Sequence, residues 1–181
     1  HDTGIRGNAI WIRTVLQELA NQQKQRSKQD LAGQKVQAEA KKLGTTHDIL
    51  RGHNGPVRAL KVTPDGSRAI SGSEDHMLKV WDLSLGEELH TFIGHKGAVT
   101  SIAVTPDALL VISASDDSTV KVWELATGRL LVNLVHEGTV NAVVATPDGH
   151  YVVSASDDST VKVFELPTGR LLASLMHGGP V

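Results

Sequence analysis

The chain has 181 residues, a formal net charge of −2 and an apolar fraction of 40%, which is enough for a hydrophobic core. It contains no cysteine, which excludes disulfide bonds and thiolate metal sites and favours a reducing compartment, so we expect a cytoplasmic protein. No run of about 18 apolar residues is present, so neither a transmembrane helix nor a membrane partner is predicted. The chain begins at His1 without a Met or a leader peptide, which indicates a piece of a longer protein.

Charge is distributed unevenly along the chain. Residues 1–44 carry a balance of +4, and residues 45–181 carry a balance of −6. A basic leader can contact nucleic acid or a membrane surface. However, the leader has neither interleaved aromatic residues nor a tight basic cluster, and a solvated helix face explains its charge. We therefore predict no nucleic-acid partner.

The first 44 residues form a predicted helical segment and linker. Residues 1–8 read as a loop, and Ile12, Leu16 and Leu19 then fall on one helical face. A polar stretch over 21–30 precedes a weaker helical pattern over 31–43, which Gly44 is placed to end.

From residue 45 the chain repeats itself. Equivalent histidines at positions 53, 95, 136 and 177 lie 42, 41 and 41 residues apart. A period in the low forties is typical of proteins whose repeat unit is one four-stranded propeller blade. Since one blade cannot bury both of its faces, we expect the function to belong to an assembly of blades.

Each unit contains four short β-compatible runs separated by turn signals, which predicts an antiparallel meander. In the first unit these runs are about 57–62, 68–71, 78–82 and 88–92. Thr63-Pro64-Asp65-Gly66 has the proline and glycine positions of a type I turn. Three glycines mark the turn before each fourth strand: Gly86, Gly128 and Gly169. The three blades are predicted at about 57–93, 99–135 and 140–176.

These motifs carry a family resemblance. The Gly-His start, the Thr-Pro-Asp-Gly turn, the Ser-x-x-x-Asp step and the Trp-Asp end resemble WD-repeat (WD40) β-propellers. The resemblance implies an all-β partial propeller of three four-stranded antiparallel blades, preceded by the α-helical segment. An extra strand at about 46–51 would complete the last blade of a ring. Propellers have about four to eight blades, so we expect a fragment of a larger one.

The resemblance also implies a structural hydrogen-bond network in each blade, in which His, Ser and Asp link to the blade Trp. The residues that match are His53, Ser71, Asp75 and Trp81; His95, Ser113, Asp117 and Trp123; and His136, Ser154 and Asp158. The third set has Phe164 in place of Trp. Phe164 has no N–H group, so we expect the third network to lose one end and its blade to be weaker.

The same residue types suggest catalysis or metal binding, but their spacing argues against both. A Ser-His-Asp triad is needed once for each active site, whereas this set recurs in every unit, and no Gly-x-Ser-x-Gly motif accompanies it. One histidine per blade places the histidines in separate blades, away from a shared metal. No Gly-rich phosphate loop is present. We therefore predict no catalytic residue, no metal and no cofactor.

The resemblance places two sets of residues on one end of the propeller, as candidates for binding a partner. The set before each network Asp is acidic, and the other set follows the first valine of each blade. Together they are Glu74, Asp116 and Asp157, and Arg58, Thr100 and Asn141. Three acidic residues in adjacent blades would form a negative arc suited to a basic protein or peptide. Ordinary solubilising charge explains them equally well.

The sequence thus predicts a non-catalytic protein-interaction scaffold. The first alternative is the sensor region of a multidomain signalling NTPase or protein kinase whose catalytic domain lies outside this chain. A second alternative is a self-assembling propeller, because two three-blade chains supply six blades and exposed blade edges favour association.

Overall fold

The computed structural model describes residues 50–181, and these residues form an all-β structure. The predicted helical segment and linker over 1–44 lies outside the described residues. The extra strand predicted at about 46–51 lies mostly outside them too, and Leu50 and Arg51 belong to no strand.

Twelve strands alternate with short turns. In chain order they are β1 Val57–Val62, β2 Arg68–Ser73, β3 Met77–Asp82, β4 Glu87–Ile93, β5 Val99–Val104, β6 Leu110–Ser115, β7 Thr119–Glu124, β8 Leu130–Val135, β9 Val140–Ala145, β10 Tyr151–Ser156, β11 Thr160–Glu165 and β12 Leu171–Met176.

The strands form three four-stranded sheets, and within each sheet neighbouring strands are also consecutive in the chain and antiparallel. We call them blade 1 (β1–β4), blade 2 (β5–β8) and blade 3 (β9–β12). The first strands of successive blades contact one another, β1 with β5 and β5 with β9. This arrangement confirms the predicted fold class of three antiparallel blades.

The turn between the first two strands of each blade follows its predicted chemistry. In blade 1, Gly66 N–H donates to the Thr63 carbonyl at 2.8 Å, and Asp65 accepts the Thr63 hydroxyl at 2.6 Å. Gly66 has φ +71°, a left-handed conformation that glycine adopts without steric cost. Short turns of this kind reverse the direction of the chain and keep neighbouring strands in register.

The hydrophobic core lies between the blades. Ile70, Leu78 and Phe92 of blade 1 pack against Val111 and Trp123 of blade 2 in one cluster. A second cluster joins blade 2 to blade 3, and its members include Ile112, Val120, Val122, Val152 and Phe164. Removing this aliphatic area from water stabilises the stack by about 25 cal/mol for each Å², so the blades support each other face to face.

The two outer faces of the stack are apolar but exposed. Leu60 and Leu83 of blade 1 are exposed, although their equivalents in blade 2, Ile102 and Leu125, lie in the first core cluster. Leu175 of blade 3 is 57% exposed, whereas its equivalent Leu134 is buried against blade 3. The outer faces of blades 1 and 3 therefore expose apolar residues of the kind that pack against a neighbouring blade elsewhere in the structure.

Candidate functional site

Blade 2 contains the most complete of the three hydrogen-bond networks. The His95 ring contacts Asp117 through Nδ1 at 2.8 Å and Ser113 Oγ through Nε2 at 2.7 Å. The indole Nε1–H of Trp123 donates to the same Ser113 oxygen at 2.9 Å. Blade 1 repeats the arrangement with His53, Ser71, Asp75 and Trp81, at 2.8 Å for each of the three contacts. All four predicted residue types are therefore brought together in both blades.

Burial keeps the histidine of blade 2 neutral. It lowers the pKa of His95, and the neighbouring Asp117 opposes that shift only in part. Neutral His95 with its proton on Nδ1 donates to Asp117 and accepts the Ser113 hydroxyl proton on Nε2. Ser113 Oγ is then free to accept the indole proton, so each group of the chain has a partner.

The aspartate of each network also accepts hydrogen bonds from two backbone N–H groups. Asp117 accepts the backbone N–H groups of Lys96 at 2.8 Å and of Thr119 at 3.0 Å. Burial alone would raise the pKa of Asp117, but the hydrogen bonds from Thr119, Lys96 and His95 outweigh it and lower the pKa from 3.8 to about 2. The carboxylate is thus ionised at neutral pH and ties the segment before β5 to the β6–β7 turn.

Blade 3 keeps the polar part of its network despite Phe164. His136 contacts Asp158 at 2.8 Å and Ser154 at 2.7 Å, while Phe164 provides a buried ring without a donor. Among the described residues no buried side-chain nitrogen or oxygen lacks a partner. The change therefore removes one hydrogen bond without leaving an unsatisfied donor, and the expected weakness of this blade stays a prediction.

A second residue accompanies the change to Phe. A Cβ atom placed on Gly52 or Gly94 would lie 3.0 Å from the outer ring carbon Cη2 of Trp81 or Trp123. The equivalent position in blade 3 is Val135, and the residue equivalent to the two tryptophans is Phe164, which has a smaller ring. The sequence therefore pairs Gly with Trp in two blades and Val with Phe in the third, and this pairing was missed in the sequence analysis.

The candidate partner-binding residues lie at one end of the blades, which we call the rim. It carries the β2–β3, β6–β7 and β10–β11 turns and the starts of β1, β5 and β9. Three of its residues are extra residues in a β-bulge, because strand pairing passes over Arg58, Thr100 and Asn141. A bulge turns a side chain out of the regular alternation of its strand, and here it does so at the same place in each blade.

The rim is less negative than the three acidic residues suggest. Arg58 forms a salt bridge with Glu74, and its Nε donates to the Glu74 carboxylate at 2.7 Å. Asn141 donates to Asp157 at 2.7 Å, which leaves the charge of Asp157 uncompensated. Thr100 instead donates to the Val140 carbonyl of the next blade, and within residues 50–181 the Asp116 carboxylate has no side-chain or ionic partner.

The comparison with protein families decides the class. A family model described as "WD domain, G-beta repeat" matches three times, at residues 44–82, 86–124 and 128–165. The chain belongs to the WD40 family.

Curated WD40 relatives match over short stretches. The small ribosomal subunit protein RACK1 of Glycine max is 43% identical over 44 residues, which is 24% of this chain and 14% of that protein. The ribosome biogenesis protein erb1 of Botryotinia fuckeliana is 39% identical over 44 residues, 24% of this chain and 6% of that protein. This chain therefore spans a small part of the length of these relatives.

Solved WD40 structures match over the blades. The structure of U3-55K has a TM-score of 0.71 and 26% identity, and the match covers 74% of this chain and 43% of that one. The RRP9 WD40 repeats have a TM-score of 0.70 and 26% identity, over 74% of this chain and 42% of theirs. Three blades are thus less than half of each of these two chains.

The WD40 networks have the composition of a catalytic triad but not its accessibility. Ser113 is completely buried, and Ser71 and Ser154 are almost so. Each serine oxygen is bonded to Nε2 of its own histidine, and in blades 1 and 2 it also accepts the indole N–H. Among residues 50–181 no group of three or more metal-ligating side chains is arranged to hold a metal ion, and no helix is long and apolar enough to cross a membrane.

Two sets of hydroxyls in these WD40 blades were missed. The first supports the network aspartate, since Thr119 and Thr160 donate to Asp117 and Asp158 at 2.6 Å. Blade 1 has Met77 at this position and therefore lacks that bond. The second set consists of the buried serines at the ends of β2, β6 and β10, which accept the N–H of the network aspartate at 3.1 Å: Ser73, Ser115 and Ser156. Their recurrence in the repeat was the signal that was available for finding them.

Proposed function

We propose that the chain is a non-catalytic scaffold that binds another protein or a peptide through the rim. One observation carries the proposal: in each blade the His, Ser and Asp side chains are engaged in internal hydrogen bonds, while in blades 2 and 3 the acidic residue beside them is exposed. Asp117 is held by His95 and Thr119, whereas its neighbour Asp116 is exposed and has no side-chain partner among the described residues. The network side chains are thus inside the blade, and the exposed carboxylates are on its surface.

The rim also contains three non-glycine residues with positive φ, a backbone conformation that costs conformational energy. His76, Ser118 and Ser159 follow the network aspartates and have φ between +64° and +69°, a region that non-glycine residues seldom occupy. Such conformations persist where surrounding contacts hold them, and they are common at binding sites. Here the two N–H bonds to each network aspartate provide that support.

The favoured partner is a basic segment of a protein. Asp116 and Asp157 lie in adjacent blades, and neither has a cationic partner among the described residues. Complementary charge on a partner increases the association rate and selects the partner. Glu74 contributes little to this selection, because Arg58 already compensates its charge.

The relatives support the class of function, and the partner is left to experiment. A ribosomal subunit protein and a ribosome biogenesis protein are named among them, and both names fit proteins that act within assemblies. We propose the cytoplasm as the location, because the sequence contains no cysteine. No observation on residues 50–181 favours the sensor region of an NTPase or kinase over the scaffold.

A charge-neutralising experiment tests the rim. The probe is a fluorescein-labelled decapeptide of alternating Lys and Gly, and binding to the full chain is followed by fluorescence anisotropy in low salt. We expect Asp116→Asn with Asp157→Asn to weaken binding at least fivefold, because each change removes an uncompensated carboxylate. Raising the salt concentration should remove most of the difference.

The matched control is the double change Arg58→Gln with Glu74→Gln. It alters the same rim but removes one charge of each sign, so binding should stay within twofold of the wild-type value. Equal binding by the wild-type protein and the Asp116→Asn, Asp157→Asn variant would contradict the proposal. So would a glutamate-glycine decapeptide that binds as well as the lysine peptide.

The exposed outer faces favour self-association as a second candidate. The outer face of blade 1 carries the residues that pack inward in blades 2 and 3, and the outer face of blade 3 carries those that pack inward in blades 1 and 2. A second copy therefore presents a matching face at each end, and two copies supply six blades. We expect a discrete dimer by light scattering with size exclusion; a monomer or a polydisperse aggregate would exclude this candidate.

A further inference from the structure

A cleft of about 730 Å³ opens at the end of the blades opposite the rim, between blades 2 and 3. The β5–β6 and β9–β10 turns form its walls, together with the segments that follow β7 and β11. Its floor is apolar and includes Leu110, Leu125 and Leu166. Neither the networks nor the rim uses this space.

One wall of the cleft departs from the repeat at two adjacent positions. Blade 1 has Gly66 followed by a serine, and blade 3 has Gly149 followed by a histidine. Blade 2 has Ala108 and Leu109 at the same positions, and both line the cleft.

Both departures work against the stability of the isolated blade. Ala108 has φ +56°, so a residue with a Cβ atom occupies the left-handed conformation that glycine occupies at +71° and +72° in the other two blades. Leu109 is 63% exposed, where the other blades place a polar side chain in water. The turn itself requires neither residue, because it forms with Gly and Ser in blade 1; the Ala108 methyl group packs against the first core cluster, whereas Leu109 is mostly in solvent. Strain and exposed apolar surface found together in this way indicate a binding function.

The border of the cleft is predominantly negative. Asp107 and Asp148 belong to its lining, and a threonine hydroxyl donates to each of them. These hydrogen bonds lower the pKa of both carboxyl groups, so both are ionised at neutral pH. Neither aspartate forms a salt bridge within residues 50–181.

Two further charged groups complete the lining. Glu124 lies beside Arg129, with 3.5 Å between the carboxylate and Nε. Arg68 is the cation of the lining; it lies opposite Asp82 in the strand pairing, and its charge helps to lower the pKa of Asp82, but no salt bridge joins the two within residues 50–181. The two unpaired carboxylates of Asp107 and Asp148 therefore outnumber the single arginine, and the border beside the apolar floor keeps a net negative charge.

We propose that this cleft binds an extended segment of a partner protein that presents an apolar side chain flanked by Lys or Arg. The apolar side chain packs on Leu109 and the leucine floor, and the flanking cations lie against Asp107 and Asp148. This surface is separate from the rim, and the proposal does not depend on the rim being a binding site.

The chain itself provides the decisive variant. Ala108→Gly with Leu109→Ser gives the blade 2 turn the residues of the blade 1 turn, so it relieves the backbone conformation and removes the exposed leucine. We expect this variant of the full chain to melt at a higher temperature than the wild-type protein. We also expect it to bind the peptide probes at least tenfold more weakly. A residue that serves only the fold would not give a gain in stability together with a loss of binding.

The probes are fluorescein-labelled octapeptides with a central Leu-Leu, Phe-Leu, Ile-Leu or Met-Leu pair between two lysines and glycine ends. Two counterparts replace the apolar pair by Ser-Ser or the lysines by glutamates, and both should bind at least tenfold more weakly. Leu83→Ser is the control for the loss of an exposed leucine elsewhere. Leu83 lies outside the cleft lining, so this substitution should leave peptide binding unchanged.

Several results would overturn the proposal. The first is that none of the four lysine peptides binds. The second is that the wild-type protein and the double variant bind them equally. The third is that the glutamate peptides bind as well as the lysine peptides. Tighter binding of a uridine decanucleotide than of any peptide would show that the cleft serves nucleic acid instead. The peptides would be shown to bind at the rim if the Asp116→Asn, Asp157→Asn variant lost binding while the Ala108→Gly, Leu109→Ser variant retained it.

Discussion

Blades 2 and 3 contain the same ten residues in succession, Ser113–Val122 and Ser154–Val163, yet these residues have different environments. In blade 2, Val120 and Val122 are completely buried, whereas Val161 and Val163 of blade 3 are partly exposed. The serines of both segments are buried alike, and the turns have the same geometry, with φ +64° at Ser118 and Ser159.

The difference comes from the neighbouring blade. Val122 faces Val152 and Phe164 of blade 3 in the second core cluster, while no described residue provides such a cluster for Val163. Features that depend on one blade, such as the strand pairing, the β6–β7 and β10–β11 turns and the His–Ser–Asp contacts, are the same in both copies. Features that depend on a neighbour, such as the burial of valine, are not. Hydrogen bonding within a blade and apolar burial between blades are thus two separate sources of stability in this chain.

The largest expected effect comes from placing a charge in each copy of the decapeptide. Val122→Asp should lower the free energy of unfolding by more than about 4 kcal/mol, because an unpaired carboxylate would be buried between two blades. Val163→Asp should cost about 1 kcal/mol, because water reaches its carboxylate. Urea denaturation followed by circular dichroism measures both values. An equal cost at the two positions would mean that the outer face of blade 3 is covered in solution.

A change to the network should instead cost the same in both copies. Asp117→Asn and Asp158→Asn each weaken hydrogen bonds to a buried charge, so each should lower the free energy of unfolding by about 2 kcal/mol at pH 7. Both networks lie within single blades, so the neighbour should not matter. A cost at Asp158 below half of that at Asp117 would contradict this view.

The pH dependence of the same variants has a definite sign. The pKa of Asp117 is lowered to about 2 in the folded chain, so its contribution to stability is complete above pH 4 and is lost as the pH falls toward 2. Burial also lowers the pKa of His95 and His136, so the unfolded chain takes up protons first below about pH 6.5 and stability falls further on acidification. Repeating the urea titrations at pH 7, 5 and 3 should show the gap between wild type and Asp117→Asn narrowing at pH 3.

The smallest effect concerns the residue at which the network of blade 3 differs from that of blade 2. Phe164→Trp adds the missing indole N–H, but the larger ring would meet Val135, where blades 1 and 2 have glycine. We expect Phe164→Trp alone to be neutral or destabilising by about 1 kcal/mol, because of overpacking. Combined with Val135→Gly it should recover about 1 kcal/mol, from the new hydrogen bond and the relieved contact. Thermal denaturation of both single variants and the double variant measures the coupling; strictly additive changes would show that the two positions are independent.

Much of the fold was predictable from residues close together in the chain. The twelve strands follow turn signals such as Thr63-Pro64-Asp65-Gly66, and the period of the repeat indicates that the strands form blades. The network sets were predictable by position because each lies within a single repeat, where a histidine, a serine and an aspartate recur at constant spacing. The charge balance of the rim was not predictable in the same way. The Arg58 contact with Glu74 depends on a β-bulge, which pairing partners reveal and spacing does not.

The sequence by itself determined the class of this protein, because a blade is specified by local turns, alternating strands and a network contained in about forty residues. Only the tertiary structure decided which surfaces are core and which are open. Identical segments are buried or exposed according to the blade beside them, and the cleft forms only where the turns of blades 2 and 3 meet. The physical reason is that hydrogen bonds of a blade join residues within one repeat, whereas the burial of apolar surface depends on whatever packs against it.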